Sequence, residues 1–149
     1  MSQKRILCLF DYACTTGFAT VSINIVNQLR DHFGDRLRLD IFAINYFGDP
    51  YQEDPNTLVI SASMTGDKPD TFGRPEFCKT LQANDYDGIF IIQDLGVVMP
   101  MVELLKSIKA FKRKNGKKLF KSMFYFPVDH DPLKSLFVSD GQLNSKVSG

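Results

Sequence analysis

Arg5-Ile-Leu-Cys-Leu-Phe10, followed at once by Asp11-Tyr-Ala-Cys-Thr-Thr-Gly17, is the stretch whose reading decides the fold. The run ending at Phe10 suits a short strand buried on both faces. It stops at Asp11, and a loop leads into a segment of different periodicity. From Phe18 to Phe33 apolar residues recur at Phe18, Val21, Ile25, Val26, Leu29 and Phe33, with Asn24, Gln28, Arg30 and Asp31 on the other side. That spacing is helical. Thr15 or Thr16 is placed to cap the first turn, and Gly34 to end the helix.

Working outward, Leu37–Ile44 reads as a second strand, closed by turn chemistry through Tyr46-Phe-Gly-Asp-Pro50 and Asp54-Pro55. Thr57–Ile60 suits a third, shorter strand, and the loop through Thr65–Pro69 an exposed position. A brief helix is predicted near Glu76 to Ala83, and a strand over Gly88–Ile92. The next helix is predicted to begin near Pro100, a residue suited to a first turn. Its apolar stripe would comprise Met101, Val102, Leu104, Leu105, Ile108 and Phe111, with Lys106, Lys109, Lys112, Arg113 and Lys114 mostly off it. Lys121–Phe126 follows as a strand, with Leu119 an alternative start. Beyond it lies a weak apolar cluster at Leu133, Leu136, Phe137 and Val138. Strands alternating with helices at these distances imply an α/β chain: a single Rossmann-like, doubly wound domain over 1–140, with a mostly parallel sheet, helices on both faces and a loose tail over 141–149.

Composition narrows the function classes. The chain has 149 residues, 44% hydrophobic and 23% charged, so it can bury one ordinary core. A formal charge of +1 gives no overall field to attract nucleic acid, and any electrostatic attraction must be local. Cys8, Cys14 and Cys78 make an odd count without paired spacing, which suggests neither a disulfide framework nor a zinc site, and no metal is expected. With no cleavage signature after Met1-Ser-Gln-Lys-Arg5, a cytoplasmic location is expected. The local exception to neutrality is the stretch Lys106–Lys121, with eight basic residues. A solvated helix face accounts for such a run, while aligned lysines would also permit docking, peripherally, on an anionic membrane surface. Phe111 is assigned to the core stripe there, so it does not argue for insertion.

In a doubly wound sheet ligands sit outside the carboxyl ends of the strands. The loop after the first strand holds Thr16 and Gly17 at a helix start, where free backbone N–H groups can receive a phosphate or a sugar hydroxyl. The same residues equally suit a cap and an eased turn. The loop lacks the three glycines of a dinucleotide fingerprint and the Gly-Lys-Ser/Thr of a phosphate loop, and Asn45 stands where an acidic residue would close the second strand. The other strand ends carry Asn45-Tyr46, Gln93-Asp94 and Asp129-His130-Asp131, polar groups of the kind a sugar-binding or acid–base site uses. His130 between two carboxylates would have a raised pKa if they are close, although Asp-His-Asp-Pro is also a good turn sequence. His32 is read as a surface residue.

Four pieces in order, Gly17-Phe-Ala-Thr-Val-Ser22, Ile44-Asn-Tyr-Phe-Gly-Asp-Pro50, Ile91-Ile-Gln-Asp94 and Tyr125-Phe-Pro-Val-Asp129, together resemble the amino-terminal domain of family-4-type retaining glycosyltransferases. The resemblance runs to about Phe137. It implies one of two facing Rossmann-like domains, with the active site in the cleft between them. It further implies that Thr16 and Gly17 belong to a loop closing on the phosphates of a nucleotide-sugar donor, which is a substrate and not a cofactor. Asn45, Tyr46, Gln93 and Asp94 would line the acceptor side, and Asp129 or His130 would hold the catalytic-site position. The donor-binding carboxy-terminal domain, with its paired glutamates, is absent from these residues.

Glycosyl transfer needs donor and acceptor held in a closed, water-poor cleft, so the chain is expected to be inactive alone, and an unpartnered inner wall would favour self-association into a homo-oligomer. The alternatives are a stand-alone Rossmann-like module binding a ligand or protein without catalysis, and a flavodoxin-like or receiver-like domain. The last would want an acidic cluster after the first strand, where only Asp11 answers.

Overall fold

The computed structural model describes residues 3–62, 72–127, 135–139 and 142–145. In chain order its main elements are β1 (Lys4–Asp11), α1 (Gly17–Phe33), β2 (Leu37–Ile44), β3 (Tyr51–Asp54), β4 (Thr57–Ser61), α2 (Arg74–Ala83), β5 (Gly88–Ile92), α3 (Leu95–Lys114), β6 (Lys121–Pro127), β7 (Ser135–Ser139) and β8 (Gln142–Ser145). Among the described residues they build one eight-stranded sheet ordered β3-β4-β2-β1-β5-β6-β7-β8. The central run β4-β2-β1-β5-β6 is parallel throughout. β3 pairs antiparallel at one edge, and β7 and β8 do so at the other. The chain is thus an α/β protein with a mostly parallel, doubly wound, Rossmann-like sheet.

Alternation along the strands explains why the sheet is covered on both sides. In β1, Leu7 and Leu9 enter one core with Phe77 and Leu81 of α2 and Val98, Met101 and Leu105 of α3. Cys8 and Phe10 point the other way and pack with Val26 of α1. Ile89 and Ile91 of β5 follow the first set, and Phe90 and Ile92 the second. A strand apolar at every position can lie only where both faces are covered.

Four features differ from the sequence reading. α3 begins at Leu95, so Pro100 lies inside the helix rather than at its start. The helix is also turned relative to the expected stripe: Leu104 and Phe111 are exposed, whereas Lys112 is buried and its Nζ donates to the Asn84 carbonyl at 2.7 Å. β3, a polar edge strand of sequence Tyr-Gln-Glu-Asp, stands where only turns were expected. It is held from α1, whose Arg30 pairs with Glu53 at 2.8 Å and Asp54 at 3.1 Å. At the other edge β8 pairs through Gln142–Ser145, in the segment expected to be a loose tail.

From β1 the chain winds outward through α1 to β2 and β4, then crosses back over α2 to β5 on the opposite side of β1. The winding direction therefore reverses between β1 and β5. At such a switch point the loops leave in opposite directions and open a crevice outside the carboxyl ends.

Candidate functional site

The floor of that crevice is one carboxylate. Asp11, the last residue of β1, is 2% exposed. Its Oδ2 accepts from the Thr16 hydroxyl at 2.5 Å and from Asn45 Nδ2 at 3.0 Å, and its Oδ1 accepts from Gln93 Nε2 at 3.0 Å. These donors come from the start of α1 and from the residues just past β2 and β5. The three sheet strands nearest the switch point are therefore tied to a single group. A buried carboxylate is costly unless its lone pairs are taken by donors, and here three are supplied.

Two of these donor side chains make a second bond. Thr16 is the N-cap of α1, and its Oγ1 accepts from Ala19 N–H at 3.1 Å while donating its proton to Asp11. The Gln93 carbonyl oxygen accepts from Asp94 N–H at 3.0 Å. Asn45 adopts φ of +64°, the left-handed region, and Ala13 in the loop after β1 adopts +59°. Non-glycine residues there are held by their surroundings, and for Asn45 the bond to Asp11 is one such hold. Thr16, Asn45 and Gln93 are thereby drawn together, but as a scaffold whose side-chain donors are already engaged.

The surfaces left to meet a ligand lie just outside this scaffold. Gly17 opens α1 with no atom within 4 Å of where a Cβ would stand, and Gly96 in the first turn of α3 is equally open. Two helix starts therefore flank the crevice with unobstructed backbone. Asp94 is exposed at the N-cap position of α3, its backbone carbonyl accepting from Val97 and Val98 N–H. Tyr46 is half-buried, with its hydroxyl donating to the Asp49 carbonyl at 2.6 Å and its ring edge-on to Tyr51 at 5.7 Å. Phe47, 66% exposed, and Leu95, 40% exposed, stand beside these polar groups. Cys14, half-buried in the β1 loop, has its Sγ 3.7 Å from Thr16 Oγ1.

Among the described rim segments the charges are one-sided. None of the segments 11–22, 45–56 and 93–105 contains Lys or Arg, while Asp11, Asp49 and Asp94 lie among them. Strand starts hold the cations, with Lys4 and Arg5 on β1, Arg36 and Arg38 around the start of β2, and Lys121 on β6, several of them paired with Asp40 and Asp87. Two surface cavities lie away from the crevice. One is on the flank of α1, lined by Ile25, Leu29 and His32, and the other is at the amino end of the sheet beside Arg5, Asn84 and Lys118.

Asp129 and His130 lie outside the described residues. In the sequence Asp11 reads only as the point where an apolar strand stops. Its signal was a carboxylate ending a wholly apolar run, with amide side chains just past two other strands. Among the described residues no group of His, Cys, Asp and Glu could hold a metal ion, and no helix is long and apolar enough to cross a membrane. The chain matches no family model and no curated protein.

Proposed function

We propose that the chain is the acceptor-side half of a glycosyltransferase that moves a sugar from a nucleotide-sugar donor to an acceptor hydroxyl, and that it is inactive without a donor-binding half. The observation that carries this reading is the polar cluster built on Asp11 at the switch point, flanked by described segments that hold carboxylates and neither Lys nor Arg. Hydroxyl donors of a sugar are matched by carboxylate, amide and backbone oxygens, and Phe47 offers an apolar face beside them. A diphosphate finds no cation in the three rim segments, so this wall suits a neutral or amine-bearing acceptor better than it suits the donor. Thr16 and Gly17 then serve as the hinge side of the donor phosphates, reaching them through backbone N–H groups at the start of α1. Asn45, Tyr46, Gln93 and Asp94 shape the acceptor side, with Asp129 or His130 as the catalytic-site residue. Exposed Phe47 and Leu95 are suited to contact a facing domain.

Titration of the 15N-labelled chain with neutral sugars, amino sugars and nucleotide-sugars, followed by amide shifts, tests this. Weak sugar binding confined to residues 13–17, 45–47 and 93–96 is expected, with nucleotide-sugars bound weakly or not at all. Submicromolar nucleotide-sugar affinity would mean that one wall suffices and would overturn the proposal, as would shifts confined to the amino end of the sheet. The reading frame past Gly149 gives a second test: a further α/β domain with closely spaced glutamates is expected, whereas an immediate stop would make the crevice that of a stand-alone binding module.

A further inference from the structure

The rotation of α3 away from its expected phase leaves a surface that the crevice does not use. Leu104 and Phe111, expected in the core, are 49% and 38% exposed, and Leu119 in the following loop is 42% exposed. Leu104 and Phe111 are seven residues apart, two turns along one line of the helix. Lys114 lies one turn beyond Phe111, and Lys117, Lys118 and Lys121 follow in the loop and at the start of β6, all exposed. Lys117 Nζ lies 5.3 Å from the centre of the Phe111 ring, so charge and apolar surface are in contact. From residue 103 to 121 the sole acidic residue is Glu103, which Lys106 meets at 3.4 Å. The nearby Asp87 is matched by Lys118 at 2.6 Å and Lys4 at 3.9 Å.

We infer that this face, the carboxy-terminal half of α3 and the loop into β6, docks on an anionic lipid bilayer surface. The inference is independent of what the crevice binds. A solvated helix face explains lysines alone, but it does not explain why Leu104 and Phe111 are exposed on the helix beside Lys114 and Lys117. An interface between headgroups and acyl chains rewards both, since lysines meet phosphates while aromatic and aliphatic tips enter the apolar boundary. Nucleic acid would reward the lysines and leave the leucines without a partner. The chain as a whole carries only +1, so the attraction is local to this patch and the acidic crevice rim is not drawn to the same surface.

The test is co-sedimentation of the chain with vesicles of pure phosphatidylcholine and of an equimolar phosphatidylcholine–phosphatidylglycerol mixture, at low and at molar salt. Binding is expected to the anionic vesicles only, and to fall steeply with salt. K114E/K117E is expected to lower the partition coefficient by at least about tenfold. L104S/F111S, which retains every charge, is expected to lower it severalfold, and far-ultraviolet circular dichroism of both variants checks that they fold. No binding to anionic vesicles at low salt overturns the inference. So does binding that neither variant changes, or binding to duplex DNA that is tighter than to vesicles and indifferent to L104S/F111S.

Discussion

Replacing Thr16 by Val tests whether Asp11 is the group that holds the crevice together. Val keeps the volume and branching of Thr and removes only the hydroxyl, which besides its weak contact with Cys14 makes two bonds: it caps α1 by accepting from Ala19 N–H, and it donates to Asp11 at 2.5 Å. Loss of an N-cap costs about 1 kcal/mol. Loss of a hydrogen bond to a charged group costs about 1.5–3 kcal/mol. T16V is therefore expected to destabilise by roughly 2.5–4 kcal/mol, which at a urea slope of about 2 kcal/mol/M moves the unfolding midpoint down by roughly 1–2 M. The decisive comparison is the cycle with Asp11→Asn. With the carboxylate gone, T16V is expected to cost little more than the cap, giving a coupling of at least about 1 kcal/mol. Equilibrium urea unfolding of wild type, both single variants and the double variant measures it. A coupling below about 0.4 kcal/mol, or D11N as stable as wild type, would refute the reasoning, because then the carboxylate is not what organises the strand ends.

Other consequences are as direct. Gly73 sits at φ of +66°, and a Cβ there would stand 2.7 Å from the Ala62 carbonyl oxygen and 2.8 Å from its Cβ. Gly73→Ala is thus expected to cost roughly 2–4 kcal/mol in denaturant unfolding, whereas Gly116→Ala, at φ of +65° with open space around it, is expected to cost only about 1 kcal/mol. Burial by itself would raise the pKa of Asp87, but Lys118, the Arg5 backbone N–H and Lys4 outweigh it and hold the carboxyl below its ordinary value. A depressed carboxyl stabilises the fold above its unfolded pKa and loses that contribution as pH falls through the folded one. Asp87→Asn should therefore flatten the loss of stability below about pH 4 in a pH series of unfolding midpoints while lowering stability at neutral pH. Burial pushes the Cys78 thiol up to about 11 and raises that of Cys8 as well. Iodoacetamide on the native chain is accordingly expected to label Cys14 first, as read by peptide mass spectrometry, with a crevice ligand slowing that reaction.

The parts of the fold legible in the sequence were those whose burial leaves no alternative. β1 and β5 and the second half of β2 are apolar on both faces, and α1 carries a stripe at helical spacing bounded by Thr16 and Gly34. Polar edge strands were not legible, because Tyr51–Asp54 is held by Arg30 and by pairing to β4, neither of which leaves an alternating pattern. Pro100 misled for a related reason. Proline suits a first turn, but α3 starts one turn and more before it, at the end of β5. That error shifted the phase of the helix, placing Phe111 inside and Lys112 outside when the structure has the reverse. Of the crevice, its location and the identities of Thr16, Asn45 and Gln93 could be read from the strand ends. Their convergence on Asp11 could not, since it joins residues as far as 82 positions apart.

That last separation bears on how the molecule assembles. The bonds from Asn45 and Gln93 to Asp11 can close only after β1, β2 and β5 are aligned, whereas the Thr16 bond is local, so the complete cluster is expected late as the chain folds. A half-assembled chain, even one with α1 formed, would lack the complete Asp11 cluster. Ligand capture would then report completion of the central sheet rather than assist its early steps, and protection of the amides around Thr16 would arise in the same kinetic phase as the sheet itself.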